Sequence, residues 1–405
     1  MKICISPEKI KNDIIYYIFI FWYSTELIFN STIEKIGFID KSTLNSLSAY
    51  IVFVLLLIQI VFIQKYNHRE LITIILITLP IIIASYNSGN FTLMSCWMFV
   101  VAARNIDIER VIRSAYKIII ICSTIIFLLR FAGIIEDYMM YRNDRIRYSL
   151  GFSHPNQLGL TIFQFCACYY YIHRKSFKFK DYFVLTMLMI FVYAVPNSQT
   201  SYIAIFMLLL LIFIKGIIDY YQKNTMKNIS FLMILCSVFF NVFSAVFLFV
   251  DIKKFNFLSI INTLMSDRFS CGHIVYNIYG VSIWGQRIYV SADERAVIGL
   301  KIRLWLDNAY MAMILRYGVI VYIIFSILYI YNMIYFWKRN KYELVIILFT
   351  YSVYGLMENG WYSMARNIFV ITMSYALYSR DIDFENIRNK IGIRVKLRKD
   401  NKLVI

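Results

Sequence analysis

The sequence predicts an all-α, polytopic membrane protein with about twelve spans, and three observations carry that prediction. Of its 405 residues, 60% are hydrophobic and only 16% are charged, a balance foreign to a soluble chain of this length. Apolar runs at residues 47–63, 118–129 and 230–250 approach or reach the ~20 residues that cross a hydrocarbon core. Basic residues fall in every second connection between such runs. Inside lipid the backbone must bond within its own segment, which selects helices, and the period-2 alternation of a membrane barrel is absent.

In order, the runs lie near residues 14–30, 47–64, 71–85, 91–103, 116–135, 156–172, 182–195, 200–218, 229–250, 307–336, 342–357 and 363–379. The first contains Glu26 and is followed by no small-residue cleavage site, so it reads as a span and not as a signal peptide. The runs at 71–85, 91–103 and 182–195 are short, and the pairs flanking 86–90 and 196–200 are candidates for re-entrant elements. Residues 1–379 form the membrane domain, with a large extracytoplasmic loop at 251–306 between spans nine and ten, and residues 380–405 form a basic tail.

Charge orients these spans. Lys65 and Arg69, then Arg104, Arg110 and Arg113, then Arg174, Lys175, Lys178 and Lys180, then Lys215, Lys223 and Lys227, then Lys338, Arg339 and Lys341 occupy alternate connections. The short connections at 86–90, 196–200 and 358–362 contain no Lys or Arg. The positive-inside rule then places both termini in the cytoplasm. This accounts for most of the net charge of +18 without nucleic acid, whose binding needs one continuous basic face. The basic tail suits anionic inner-leaflet lipid. Five of the seven cysteines, Cys96, Cys122, Cys166, Cys168 and Cys236, sit in apolar runs, so no disulfide framework is expected. The four histidines are scattered, and no spacing suggests a metal site.

Two outer segments break the charge rule. Residues 136–155 hold Arg142, Arg145 and Arg147, and residues 251–306 hold Lys253, Lys254, Arg268, Arg287, Arg295, Lys301 and Arg303. The longer one also contains Phe255, Phe257, Phe269, Tyr276, Tyr279, Trp284, Tyr289 and Trp305, too aromatic a composition for disorder. Positive charge on the outer side calls for an anionic ligand. Within the first segment, Arg145-Ile-Arg147-Tyr-Ser-Leu-Gly151-Phe-Ser-His154-Pro155-Asn156-Gln-Leu-Gly159 opens the sixth span. Pro155 suits the first helical turn, where its missing N–H costs nothing, and Ser153 suits the N-cap. His154 and Asn156 are then placed between helices near the outer surface.

Gly-Phe-x-His-Pro-Asn ahead of a span resembles the outer-face motif of bacterial Wzy-type polysaccharide repeat-unit polymerases, relatives of the O-antigen ligases. Further features follow in the family's order. Asn197-Ser-Gln-Thr-Ser201 resembles its Thr/Ser-Arg-Thr turn, with Gln199 where Arg is usual. Ser266-Asp-Arg268 and the later Gly280 and Gly285 resemble motifs of its large outer loop. Asp307-Asn308-x-Tyr310 and Tyr317-Gly318 resemble the start of the following span, and Glu358 and Asn367 resemble residues around its last outer turn. The likeness covers residues 145–370.

The resemblance implies a metal-independent glycosyltransferase without cofactor in the bacterial cytoplasmic (inner) membrane, acting in O-antigen or capsule biosynthesis. A growing glycan would leave polyprenyl diphosphate and join a hydroxyl of a new lipid-linked repeat unit. Membrane lipid, a flippase and a chain-length regulator are its implied partners. His154 and Glu358 are the implied catalytic residues, with His273 a second candidate base. Arg147, Arg268, Arg287, Arg316 and Arg366 are the implied diphosphate ligands, since guanidinium groups hold phosphate oxygens bidentately. Asn156, Asp307, Asn308 and Tyr310 are the implied substrate contacts; Asp307 and Asn308 equally suit a helix cap. A ligase of the same superfamily would use the same parts. A lipid-linked oligosaccharide flippase is the alternative of another class, and it needs two pseudo-symmetric halves, of which the sequence shows no sign.

Overall fold

The computed structural model describes residues 7–33, 41–142, 145–221, 225–290 and 305–379. Asp144 and Lys223, the loop cations Arg295, Lys301 and Arg303, and the tail 380–405 lie outside these residues. In chain order the helices are α1 (Pro7–Phe29), α2 (Lys41–Ile58, prolonged by a π turn Gln59–Ile63), α3 (His68–Ser88), α4 (Thr92–Ala102) and α5 (Ile108–Phe131). A hairpin of β1 (Met139–Arg142) and β2 (Arg145–Tyr148) leads to α6 (Pro155–His173), α7 (Phe179–Ala194), α8 (Gln199–Tyr220) and α9 (Thr225–Phe249). The large loop carries α10 (Asn256–Leu264) and α11 (Arg268–Tyr279). Then come α12 (Ala309–Lys338), α13 (Tyr342–Met357) and a 3-10 turn Ile368–Thr372 that runs into α14 (Met373–Tyr378).

A helix thus lies at eleven of the twelve expected positions; the last, 363–379, is instead a turn followed by the 3-10 segment and the six-residue α14. Among the described residues six helices are long and apolar enough to cross a membrane: Thr43–Ile63, α3, α5, α8, α9 and α12. The chain is mostly helical, as expected, with one small addition, the β1–β2 hairpin, whose register pairs Met140 with Arg147 and Tyr141 with Ile146. Its far end is fixed by Asp137, whose Oδ1 accepts from Ser149 N at 3.0 Å and Leu150 N at 2.8 Å. The large loop is also more regular than its sequence implied, with α10 and α11 inside it. Helix α5 begins eight residues early, at Ile108 and not 116, because Asp107 caps it by accepting from Glu109 N at 3.0 Å.

At the centre, α12 and α13 are apolar all round, as buried helices must be; Met311, Ala312, Met313, Val345 and Ile346 are fully buried. Helix α9 packs against both, α3 against α12 and α8 against α13. Outward, α2, α3 and α7 expose Leu47, Tyr50, Val54, Leu76 and Phe183. An apolar belt this extensive is unfavourable in water and fits a membrane protein.

The connections separate into two ends. At one, Arg104 pairs with Glu70 at 3.0 Å, Arg174 with Glu109 at 2.9 Å and Lys215 with Glu343 at 3.4 Å. These are the basic connections. At the other, Ser153 N donates to Asn30 O at 2.8 Å, Asn87 Nδ2 to Trp284 O at 3.0 Å, and Arg147 Nε to Pro196 O at 2.9 Å.

The large loop is keyed into the bundle. Helix α12 breaks at Gly318, where φ is +84°. Val319 N, freed by the break, donates to Ser282 O at 3.2 Å, and Gln286 N donates to Arg316 O at 2.9 Å. A Cβ at Gly318 would sit 2.4 Å from Ile283 O, against backbone that cannot rotate away. Gly318→Ala therefore adds a clash to left-handed backbone strain and should cost more than about 1–3 kcal/mol. Gly133→Ala is the control: φ is +72° there, but nothing lies within 4 Å of the new Cβ. Equal losses in melting temperature for the two variants in detergent would show that the loop is not wedged into the break.

Candidate functional site

The site begins at the entry to α6. His154 is the N-cap, in extended backbone with φ −158°, and its Nδ1 accepts from Asn156 N at 3.0 Å. Ser153 does not take the capping position expected of it. Its N–H is held by Asn30 O, and the imidazole nitrogen does the work of a capping oxygen. Pro155 occupies the first turn, as its missing N–H allows. A Cβ on Gly159 would lie 2.6 Å from Ser198 Cβ. Glycine there brings the start of α6 against the start of α8.

Asn156 is the hub. Its Nδ2 donates to Glu358 Oε1 at 2.8 Å, and its Oδ1 accepts from Arg147 Nη2. Glu358 follows the last turn of α13 and is 8% exposed. Arg268, at the start of α11, places Nη2 3.4 Å from Glu358 Oε1 and 3.4 Å from Thr200 Oγ1, and Nε 3.6 Å from Asp307 Oδ2. The segment 196–201, which holds the Asn197–Ser201 turn, thus contributes the Pro196 carbonyl to Arg147 and the Thr200 hydroxyl to Arg268. Arg147, Asn156, Arg268, Asp307 and Glu358 form one network, in which Arg147, Arg268 and Glu358 are buried and Asn156 and Asp307 half-buried, with His154 beside it.

Burial and the nearby Asp307 push the Glu358 carboxyl up to about 7, against the pull of Arg268, Arg366 and Arg147. Burial outweighs partial pairing because a carboxylate out of water loses more hydration than an imperfect ion pair returns. Burial, with Arg147 and Arg366 adding repulsion, holds His154 down to about 4. A neutral imidazole whose Nδ1 already accepts a backbone N–H carries its proton on Nε2. His154 therefore presents a donor.

Arg316 and Arg366 lie elsewhere, on a shared cavity of about 470 Å³. Its walls come from α1, α2, the α3–α4 turn, Arg316 at the α12 break, and the 359–366 turn. Arg366 Nη1 donates to Asn359 O at 2.7 Å. Arg366 acts electrostatically on both Glu358 and His154, so this arginine links cavity and network. Arg287 is exposed beside Gly89, its Nε 3.4 Å from where a Cβ there would be.

Three candidates are placed apart from the network. Asn308 is fully buried and caps α12, accepting from Tyr310 N at 3.1 Å and Met311 N at 3.0 Å. Tyr310 is also fully buried; its hydroxyl donates to Ser352 O at 2.8 Å and its ring meets Trp361. The substrate contacts implied for these two are corrected to structural roles, since neither presents surface to a ligand. His273 bonds to Leu248 O at 2.9 Å and to Asn277. Conversely, Glu26, Asn30, Asn90 and Asn359 line the cavity and were not singled out in the sequence as site residues. A carboxylate within the first apolar run was the one available signal.

No protein-family model, curated protein or solved structure matches this chain. The network itself is testable. Asn156→Leu removes one hydrogen-bond partner from Arg147 and one from Glu358, at about 1–3 kcal/mol per buried group. Adding Glu358→Gln should recover part of that loss, because the uncompensated acid is gone. A double-mutant cycle of melting temperatures measures the coupling, and strict additivity would show that Asn156 and Glu358 act independently.

Proposed function

We propose that this protein is a glycosyltransferase that polymerises oligosaccharide repeat units at the outer face of a bacterial cytoplasmic membrane. On this reading the chain crosses the bilayer twelve times, and the end bearing the basic connections faces the cytoplasm. The observation that carries the proposal is Glu358, a buried carboxyl near neutrality among arginines, at the end opposite the basic connections. A group that loses its proton close to working pH is suited to general-base catalysis.

Glu358 takes the proton of an acceptor hydroxyl on the incoming repeat unit. The acceptor oxygen forms the new bond to the anomeric carbon of the growing glycan. The bond from that carbon to the diphosphate oxygen breaks, and its electron pair leaves with the polyprenyl diphosphate. Arg316 and Arg366, which share the cavity wall, stabilise the departing charge. Arg147 and Arg268 hold the base. His154 donates from Nε2 to a substrate oxygen, in place of the base role its motif first implied.

Two predictions follow from this assignment. Glu358→Gln should lower polymerisation ~10²–10⁴-fold, the usual loss for a general base, leaving carrier-linked single repeats while membrane abundance is unchanged. The wild-type rate should rise with pH through about 7 as Glu358 loses its proton, with no limb from His154 above pH 5, because its imidazole is already neutral there. Polymer of normal length in Glu358→Gln cells would remove the base. Separately, reporter fusions at residues 176, 222 and 340 should read cytoplasm, and fusions at 140 and 275 outside. A cytoplasmic signal at 275 would put the large loop on the wrong side for a flipped substrate.

A further inference from the structure

The cavity holding Arg316 and Arg366 has a wall that diphosphate binding does not explain. Trp22, Glu26 and Asn30 recur at four-residue spacing along and just past α1, so they form one stripe, and all three line the cavity. From the end of α1 to Trp22 the stripe descends about 10 Å at 1.5 Å per residue. Among the described residues Glu26 makes no ion pair at contact distance, although Arg366 acts on it electrostatically. Asn359 adds a buried Oδ1 that meets no hydrogen-bond partner among the described residues, and Asn90, Thr92, Ser95, Tyr362 and Ser363 add further polar lining.

A carboxylate repels phosphate. A wall built for an anion alone would not carry one opposite two guanidinium groups. The same carboxylate is a strong acceptor for hydroxyl hydrogens, and amide side chains offer both donors and acceptors to vicinal hydroxyls. Aromatic rings such as Trp22 and Tyr362 add apolar faces. The volume of about 470 Å³ falls in the range of small-molecule sites, enough for a diphosphate and at least one sugar ring. We propose that this cavity binds a glycosyl diphosphate, with the anion on Arg316 and Arg366 and the hydroxyls of the attached sugar on Glu26, Asn30 and Asn359. Glu26 is then a specificity-determining residue, one that selects a polyhydroxylated group over a bare diphosphate. The inference rests on the proposed function for the polyprenyl diphosphate; the assignment of the sugar hydroxyls to Glu26, Asn30 and Asn359 is carried by the cavity lining.

The test uses the full chain in nanodiscs. Citronellyl diphosphate is compared with citronellol-linked diphosphates of N-acetylglucosamine, glucose and galactose, and binding is read by thermophoresis. At least one glycosyl probe should bind more tightly than citronellyl diphosphate. Arg316→Gln and Arg366→Gln should weaken every probe. Glu26→Gln should weaken the preferred glycosyl probe by about tenfold or more, the loss of a charge-assisted hydrogen bond, and should leave citronellyl diphosphate equal or tighter because a repulsive charge is gone. That opposite sign separates recognition from misfolding, which would weaken all probes together. The proposal is overturned if no sugar improves binding, or if Glu26→Gln weakens the sugar-free and sugar-bearing probes alike. A failed polymerisation assay beside this binding pattern would count against the polymerase reading alone.

Discussion

A carboxyl group removed from water is the constraint on which this end of the molecule depends. Glu358 sits at the last turn of α13 with 8% of its surface exposed. Left alone, such a group forces either a neutral acid or a large desolvation penalty. The chain answers with partners from distant segments: Asn156 from α6, Arg268 from α11, and Arg147 from β2 through Asn156. None of these can be placed unless the elements that carry them are placed too. The hairpin must deliver Arg147 beside the Pro196 carbonyl, α6 must start where Gly159 can touch Ser198, and α11 must lie over the start of α8. One acid thus coordinates the register of four connections.

The break in α12 performs a second coordination. A helix interrupted inside a bundle exposes backbone groups that something must satisfy. Here the 281–286 segment does so, through Ser282 O and Gln286 N. The break also explains where Arg316 stands. Its first half-helix ends at Tyr317, so Arg316 belongs to a C-terminal turn, where a cation is favoured by the helix dipole. The same interruption that anchors the large loop therefore presents a stable guanidinium to the cavity wall.

The positions of the helices were legible because long apolar runs leave few alternatives to a helix. The boundaries were less so. The apolar run hid the true start of α5, because Arg110 and Arg113 looked like a loop although Asp107 caps a helix that includes them. The hairpin had no periodic signal, since Met139–Arg142 and Arg145–Tyr148 are too short for alternation to show. At the site, Asn156 and Glu358 were readable from a motif and from an acid in a cation-free connection, but their bond joins positions 202 residues apart, beyond any local rule. Asn308 was ambiguous for a physical reason: a side chain that caps a helix and one that binds a hydroxyl have the same chemistry, and only its complete burial decides between them. Glu26 was visible as an acid in an apolar run, yet which helix face it occupied depended on neighbours that sequence does not list.

Four arginines at the end opposite the basic connections divide by what they line or engage, and the division has a chemical consequence in the proposed reaction. Arg147 and Arg268 are engaged with Asn156, Pro196, Thr200 and the carboxylates. They lower the Glu358 carboxyl against burial, which alone would raise it further. Were a diphosphate to draw those two guanidinium groups onto itself, Glu358 would lose its compensating charge and hold its proton more tightly, just when it must accept one. Binding the leaving group and keeping the base ionised are therefore competing demands on the same cations. Placing Arg316 and Arg366 on the cavity, and Arg147 and Arg268 on the acid, relieves that competition. Arg366 alone acts on both sides. It is the residue through which arriving diphosphate would raise the affinity of Glu358 for the acceptor's proton without stripping the acid of its own partners.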